Sequence, residues 1–173
     1  SFLSMKIDSL LIFFSILMPE MTNVEEQILD EALIRTYADF GITNDNDSLY
    51  DPDHPGQFRT MPVLGDLHDR LLQNPKADRL ATILNRIVNG SAKTFNKQTN
   101  VNLSNLSTAI DLSYLKGKML SAGMFLALDF VWDKARENRI ANKAIFIDEV
   151  WQLIGGASNR LAAEYVVEIA KVI

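Results

Sequence analysis

The sequence of 173 residues carries 17 basic and 22 acidic side chains, a formal charge of −5, 47% apolar residues, no cysteine and two histidines. That describes one soluble domain of ordinary size; without cysteine it excludes a disulfide scaffold, a thiolate zinc site and a cysteine nucleophile, and leaves a reducing cytoplasm as the default compartment. His54 and His68 have no close metal-binding spacing, so any metal is expected to be held by oxygen.

From Leu3 to Met18 the apolar positions Leu3, Ile7, Leu10, Leu11, Phe14 and Leu17 follow helical spacing, with Ile12, Phe13 and Ile16 covering much of the remaining surface. Its uncharged core, Ser9 to Met18, is about half of the roughly 20 residues a helix needs to cross a bilayer, which predicts a core helix. Asp8 after Lys6, and the exit Met18-Pro19-Glu20-Met21, do not suit a secretory signal, so no targeting segment is read. Thr22 followed by Glu25 predicts a capping box opening a second helix, with Val24, Ile28, Leu29, Leu33 and Tyr37 as its buried stripe and Gly41 as its stop.

Asn44 to Gln57 is a polar loop whose acidic spacing invites comparison with a calcium loop, and the comparison fails. Counting from Asp45, the fifth position is Leu49, the required glycine is Tyr50 and the twelfth is Gly56 in place of glutamate. Two shorter helices are expected over about Pro62–Gln73 and Asp78–Asn89, the second with Leu80, Ile83, Leu84 and Ile87 inward. His68 falls on the first of them, at the surface or core edge and not as a ligand.

The character then changes. Thr108–Leu112 and Lys143–Ile147 are short runs rich in β-formers, and Lys116–Asn138 between them reads as one long helix with Met119, Ala122, Leu126, Phe130 and Val131 on a stripe. Strand, helix and strand make a βαβ unit of an α/β fold. A Gly155-Gly156 turn and a helix from about Asn159 follow; its end in mid-pattern at Ile173 suggests a chain that stops inside a larger domain. Charge is unevenly spread: residues 1–60 hold three basic residues against eleven acids, residues 93–143 eight against four.

The strand expected at Lys143–Ile147 delivers Asp148 and Glu149 at its carboxyl end, the edge where ligands bind in open α/β sheets. P-loop nucleotide hydrolysis needs such a pair, Asp148 to hold the magnesium shell and Glu149 to act on water. The alternative is that both acids simply end a strand and favour the positive start of the next helix. A phosphate cradle G-x-x-x-x-G-K-[ST] is absent: the Gly117-Lys118 pair is followed by Met119, and Leu112 stands where the first glycine belongs.

Four blocks resemble the conjugative-transfer ATPases of type IV secretion systems, the CagE/TrbE/VirB kind, grouped with the FtsK and HerA motors: KIDSLLIFFSILMPEMT at 6–22, LDEALIRTYADFGIT at 29–43, FNKQTNV at 95–101 and AIFIDEVWQLIG at 144–155. The resemblance covers nearly the whole chain. It implies a fragment of a RecA-like P-loop ATPase domain, with parallel strands over about 107–112 and 143–148, a mainly helical segment over 1–90 and a βαβ part carrying the Walker B motif over 91–173, truncated at both ends. It assigns Asp148 to magnesium and Glu149 to catalysis, with ATP and magnesium as cofactors of the full-length enzyme. None is expected bound to a fragment that lacks the phosphate loop. It further implies a homo-oligomer, a hexamer in the parent, at the cytoplasmic face of the bacterial inner membrane, with the coupling ATPase and inner-membrane channel proteins as partners, moving DNA or protein. The alternative is an interaction module of the same apparatus without nucleotide chemistry.

Phe95, Asn96, Gln98 and Asn100 are candidate contacts to DNA or a neighbouring subunit, weighed against packing and turn formation. Lys134, Arg136 and Arg139 suit a solvated helix end. Trp151 is expected to be packed.

Overall fold

The computed structural model describes residues 1–90, 93–101, 105, 107–137, 143–155 and 160–172. Among these the regular elements are helices: α1 (Phe2–Leu17), α2 (Asn23–Asp39), α3 (Leu64–Leu72), α4 (Asp78–Val88), α5 (Lys118–Glu137), α6 (Trp151–Ile154) and α7 (Arg160–Val172). The chain divides into two compact units, Ser1–Leu11 with Met21–Asn100, and Ile12–Glu20 with Val101–Ile173.

In the first unit, α2 opens on the expected capping box. The Glu25 N–H donates to Thr22 Oγ1 at 3.2 Å, and the Thr22 N–H donates to Glu25 Oε2 at 2.9 Å. That backbone bond, together with Arg79 at 2.7 Å, holds the Glu25 carboxyl below its usual range. The helix ends in a Schellman motif: Gly41, at φ +75°, donates to Ala38 O, Ile42 donates to Tyr37 O, and Ile42 is fully buried. The α2 stripe differs from its expected form in two members, Ile28 being only half-buried. Val24 stands 66% exposed, while Ala32 and Thr36 join Leu29, Leu33 and Tyr37 inside. From α3 come Leu67, His68 and Leu71, and from α4 Leu80, Ala81, Leu84 and Ile87, to complete this core.

The start of α3 shows how the site loop at 93–100 is held. Val63 occupies the cap position and has no side-chain acceptor, so the Gly65 N–H is taken instead by Asn96 Oδ1 at 2.8 Å, 31 residues along the chain. A Cβ on Gly65 would stand 3.2 Å from that amide, so glycine leaves it room. Asn96→Ala is expected to cost about 1 kcal/mol, the usual loss of a helix cap, read from the urea midpoint. A midpoint equal to the parent would show that solvent replaces the bond.

In the second unit the apolar residues buried on α5 and α7 are Ala122, Phe125, Leu128, Ala162 and Ile169, with Phe13, Phe14, Ile16 and Met18 from the first stretch. The inner face of α5 is turned from the expected stripe: Leu126, Phe130 and Val131 are half-buried, and Asp129 is buried. Tyr165 on α7 donates its phenol to Asp129 Oδ1 at 2.7 Å. Burial, then this carboxylate, push the Tyr165 phenol above its usual range. The folded state therefore keeps a proton that the unfolded chain releases near pH 10, so stability present below about pH 10 is lost as pH rises past it. Tyr165→Phe is expected to flatten the alkaline limb of a stability profile; an unaltered limb would assign it to another group.

The expected α/β architecture is overturned. Among the described residues there is no sheet and no named strand; an isolated antiparallel bridge joins Tyr50 and Phe58. Neither Thr108–Leu112 nor Lys143–Ile147 forms a strand, so the described residues hold no parallel strands, no βαβ unit and no RecA-like sheet. The physical reason is that a strand exists only through its neighbour's hydrogen bonds, and β-forming composition cannot supply one. Phe146 is 94% exposed, and Asp111 Oδ1 takes the Ser113 N–H at 2.9 Å, a local bond that competes with a ladder. Gly156 and Asn159, expected in the last turn and at the helix start, lie outside the described residues.

Candidate functional site

Asp148 and Glu149 lie in the turn that leads into α6, and both are exposed. Asp148 Oδ1 accepts the Glu149 N–H at 2.9 Å, and its other oxygen has no partner among the described residues. Glu149 has φ +54°, the left-handed region that a side chain with a Cβ enters at a cost of about 1–2 kcal/mol. Such strain persists only where the surroundings over-determine it, and it collects at functional positions.

The restraints come from α6. Its amides bond back to the turn, Gln152 N–H to Glu149 O at 2.8 Å and Leu153 N–H to Val150 O at 3.0 Å. Leu153 is 1% exposed and anchors the short helix. Ser121 on α5 donates its hydroxyl to Gln152 O at 2.7 Å, satisfying a carbonyl that a helix of four residues leaves open. Ser121 lies off the stripe expected for α5, so apolar periodicity gives no signal for it. Trp151, expected to pack, is 58% exposed. Glu149→Gly should stabilise the chain by about 0.5–1 kcal/mol, since it removes the left-handed penalty less the glycine entropy cost. A lower urea midpoint in that variant would mean the carboxylate contributes contacts that outweigh the strain.

The other sequence candidates are placed elsewhere. Asn96 caps α3, and the Gln98 side-chain amide donates to Met61 O, so the 93–100 loop is fastened to the first turn of α3 and to the segment before it. Phe95 is half-buried, and Asn100 is exposed. The Gly117-Lys118 pair opens α5, with Gly117 at φ +55° accepting the Leu120 N–H. At the far end of α5, Arg136 pairs with Asp133 and lies 5.6 Å over the Trp132 ring.

The helical fold corresponds to a solved structure whose name is of the VirB kind that the sequence resemblance gave. That structure is VirB4 of Thermoanaerobacter pseudethanolicus, matched with a TM-score of 0.87 and 24% identity over 99% of this chain. The chain covers 65% of that VirB4 chain. No family model matches the sequence, and no curated protein matches it closely.

Proposed function

We propose that the chain is part of an ATP-hydrolysing motor of a type IV secretion or conjugation apparatus, which energises transfer of DNA or protein and assembly of the apparatus. The supporting observation is the VirB4 fold over 99% of the chain, with the Asp148–Glu149 turn inside the matched region. The acidic pair fits a magnesium–nucleotide site chemically: magnesium takes one or two protein carboxylates alongside phosphate oxygens, and Asp148 has an oxygen to offer. When bound, the ion would neutralise developing charge on the phosphates. Asp148 would hold the ion, and Glu149 would orient the attacking water and accept its proton.

On this reading the phosphate cradle comes from elsewhere in the whole protein, because the sequence contains no G-x-x-x-x-G-K-[ST], and the isolated chain is inactive. The parent works as a homo-oligomer, a hexamer, at the inner face of the bacterial membrane, with the coupling ATPase and channel proteins as neighbours. No helix among the described residues is long and apolar enough to cross a membrane. The missing cradle also supports a second reading, an interaction module whose acidic pair is incidental.

Magnesium-dependent ATP binding, followed by calorimetry on this chain and on a version extended at both ends through a phosphate cradle, tests the proposal. Binding by the extended protein alone is the expected result. Binding by neither would favour the interaction module.

A further inference from the structure

Between Leu49 and Arg59 the first unit carries a small hairpin-like turn whose two arms are joined by the Asp51 N–H to Gln57 O and the Arg59 N–H to Leu49 O, both 2.8 Å. Its paired residues Tyr50 and Phe58 stack with centroids 5.1 Å apart and planes at 23°, yet they stay 47% and 64% exposed. Large aromatics left partly in water at such a bridge keep ring surface open to whatever approaches, and the face of a ring is the negative side of its quadrupole.

The acids on this segment divide into two kinds. Asp45 Oδ1 takes the Asp47 N–H at 3.0 Å, Asp51 Oδ1 takes the Asp53 N–H at 2.9 Å, and Asp51 Oδ2 meets His54 Nδ1 at 2.9 Å. These two carboxylates build the turns. The carboxylates of Asp47 and Asp53 have no hydrogen-bond or ion-pair partner among the described residues, and both are exposed. Of the nearby basic side chains, His54 is engaged with Asp51, and Arg59 Nε donates to Ser48 O at 3.0 Å.

We propose that this hairpin is a docking surface for an arginine-bearing basic segment of a partner protein. A purely apolar partner would have to desolvate carboxylates without pairing them, which is costly. A guanidinium can lie flat on an aromatic face while its in-plane N–H groups reach carboxylates, a combination that the compact ammonium of lysine does not reproduce. The occupant is thus selected by the aromatic pair and the two free carboxylates together. The inference goes beyond the motor reading and does not depend on ATP hydrolysis.

The test titrates the chain with an arginine–glycine repeat peptide and with a lysine–glycine peptide of equal length, following the Tyr50 and Phe58 ring resonances. The arginine peptide is expected to bind about two- to fivefold more tightly, a preference that Phe58→Ser removes. Asp53→Asn should weaken both peptides, and added salt should weaken them further. Tyr50→Ser serves as the second ring variant should Phe58→Ser disturb the hairpin. Equal affinities unchanged by either ring variant, no saturable binding, or shifts confined to other residues would overturn the proposal. Concentration-dependent ring shifts without peptide would also overturn it, because the occupant would then be a second copy of the chain.

Discussion

Glu149→Gln, in a protein extended to include a phosphate cradle, is expected to lower ATP turnover by about 10²–10⁴-fold while leaving magnesium–ATP binding intact. The amide keeps the size of the side chain and the backbone of the turn, but it cannot accept a proton from water. The left-handed Glu149 backbone, its bond to Asp148, the Gln152 bond back to the turn and the Ser121 tether should all persist. Any loss therefore reports the carboxylate and not the fold. Steady-state hydrolysis beside calorimetric binding separates the two effects, and unchanged turnover would remove Glu149 from catalysis. Glu149→Gly gives the complementary result, a more stable chain without the carboxylate, so stability and activity should move in opposite directions at this one position.

The second large effect lies in packing. Phe125 is fully buried, with its ring centroid 5.2 Å from that of Tyr165, and Phe125→Ala should cost about 3–5 kcal/mol. The loss combines transfer of the ring with a cavity that neighbouring helices fill only in part. Phe146→Ser, at a position 94% exposed, should stay within about 0.5 kcal/mol of the parent. The two phenylalanines thus distinguish the helical architecture from the expected sheet, in which Phe146 would sit on a buried strand. Urea midpoints at constant slope measure both. A multi-kilocalorie loss at Phe146 would contradict the observed exposure.

Local signals were the legible ones. The capping box at Thr22, the stop at Gly41, and the helices carrying Leu80 and Ala122 are each written within one or two turns of chain, and the structure has them. The two strand expectations failed because Ala144–Ile147 has the composition of a strand, whereas strand formation is decided by a neighbour that local composition does not contain. The rotated face of α5 was hidden for a different reason. Asp129, a carboxylate, sits inside with the Tyr165 phenol, and apolar periodicity cannot count a buried acid. At the candidate site, the adjacency of Asp148 and Glu149 was visible in the sequence. The left-handed backbone of Glu149 was not, since glutamate is not a residue that announces that conformation. Asn96 was legible only as a polar loop residue, because its partner Gly65 is distant in sequence.

The cap that Asn96 provides for α3 sets an order of events during synthesis. A helix of nine residues is marginal in water, and α3 brings no cap side chain of its own at Val63. While the chain leaves the ribosome, α2 can close both ends from within its own neighbourhood, at Thr22 and at Gly41, well before residue 96 has been made. Until residue 96 emerges and folds back to take the Gly65 N–H, the opening turn of α3 is held by Asp66 Oδ2 on the Val63 N–H. A ribosome stalled between these two points would hold a nascent chain with a finished α2 and an unsealed α3, and protease sensitivity in that window would concentrate around Val63 and Leu64.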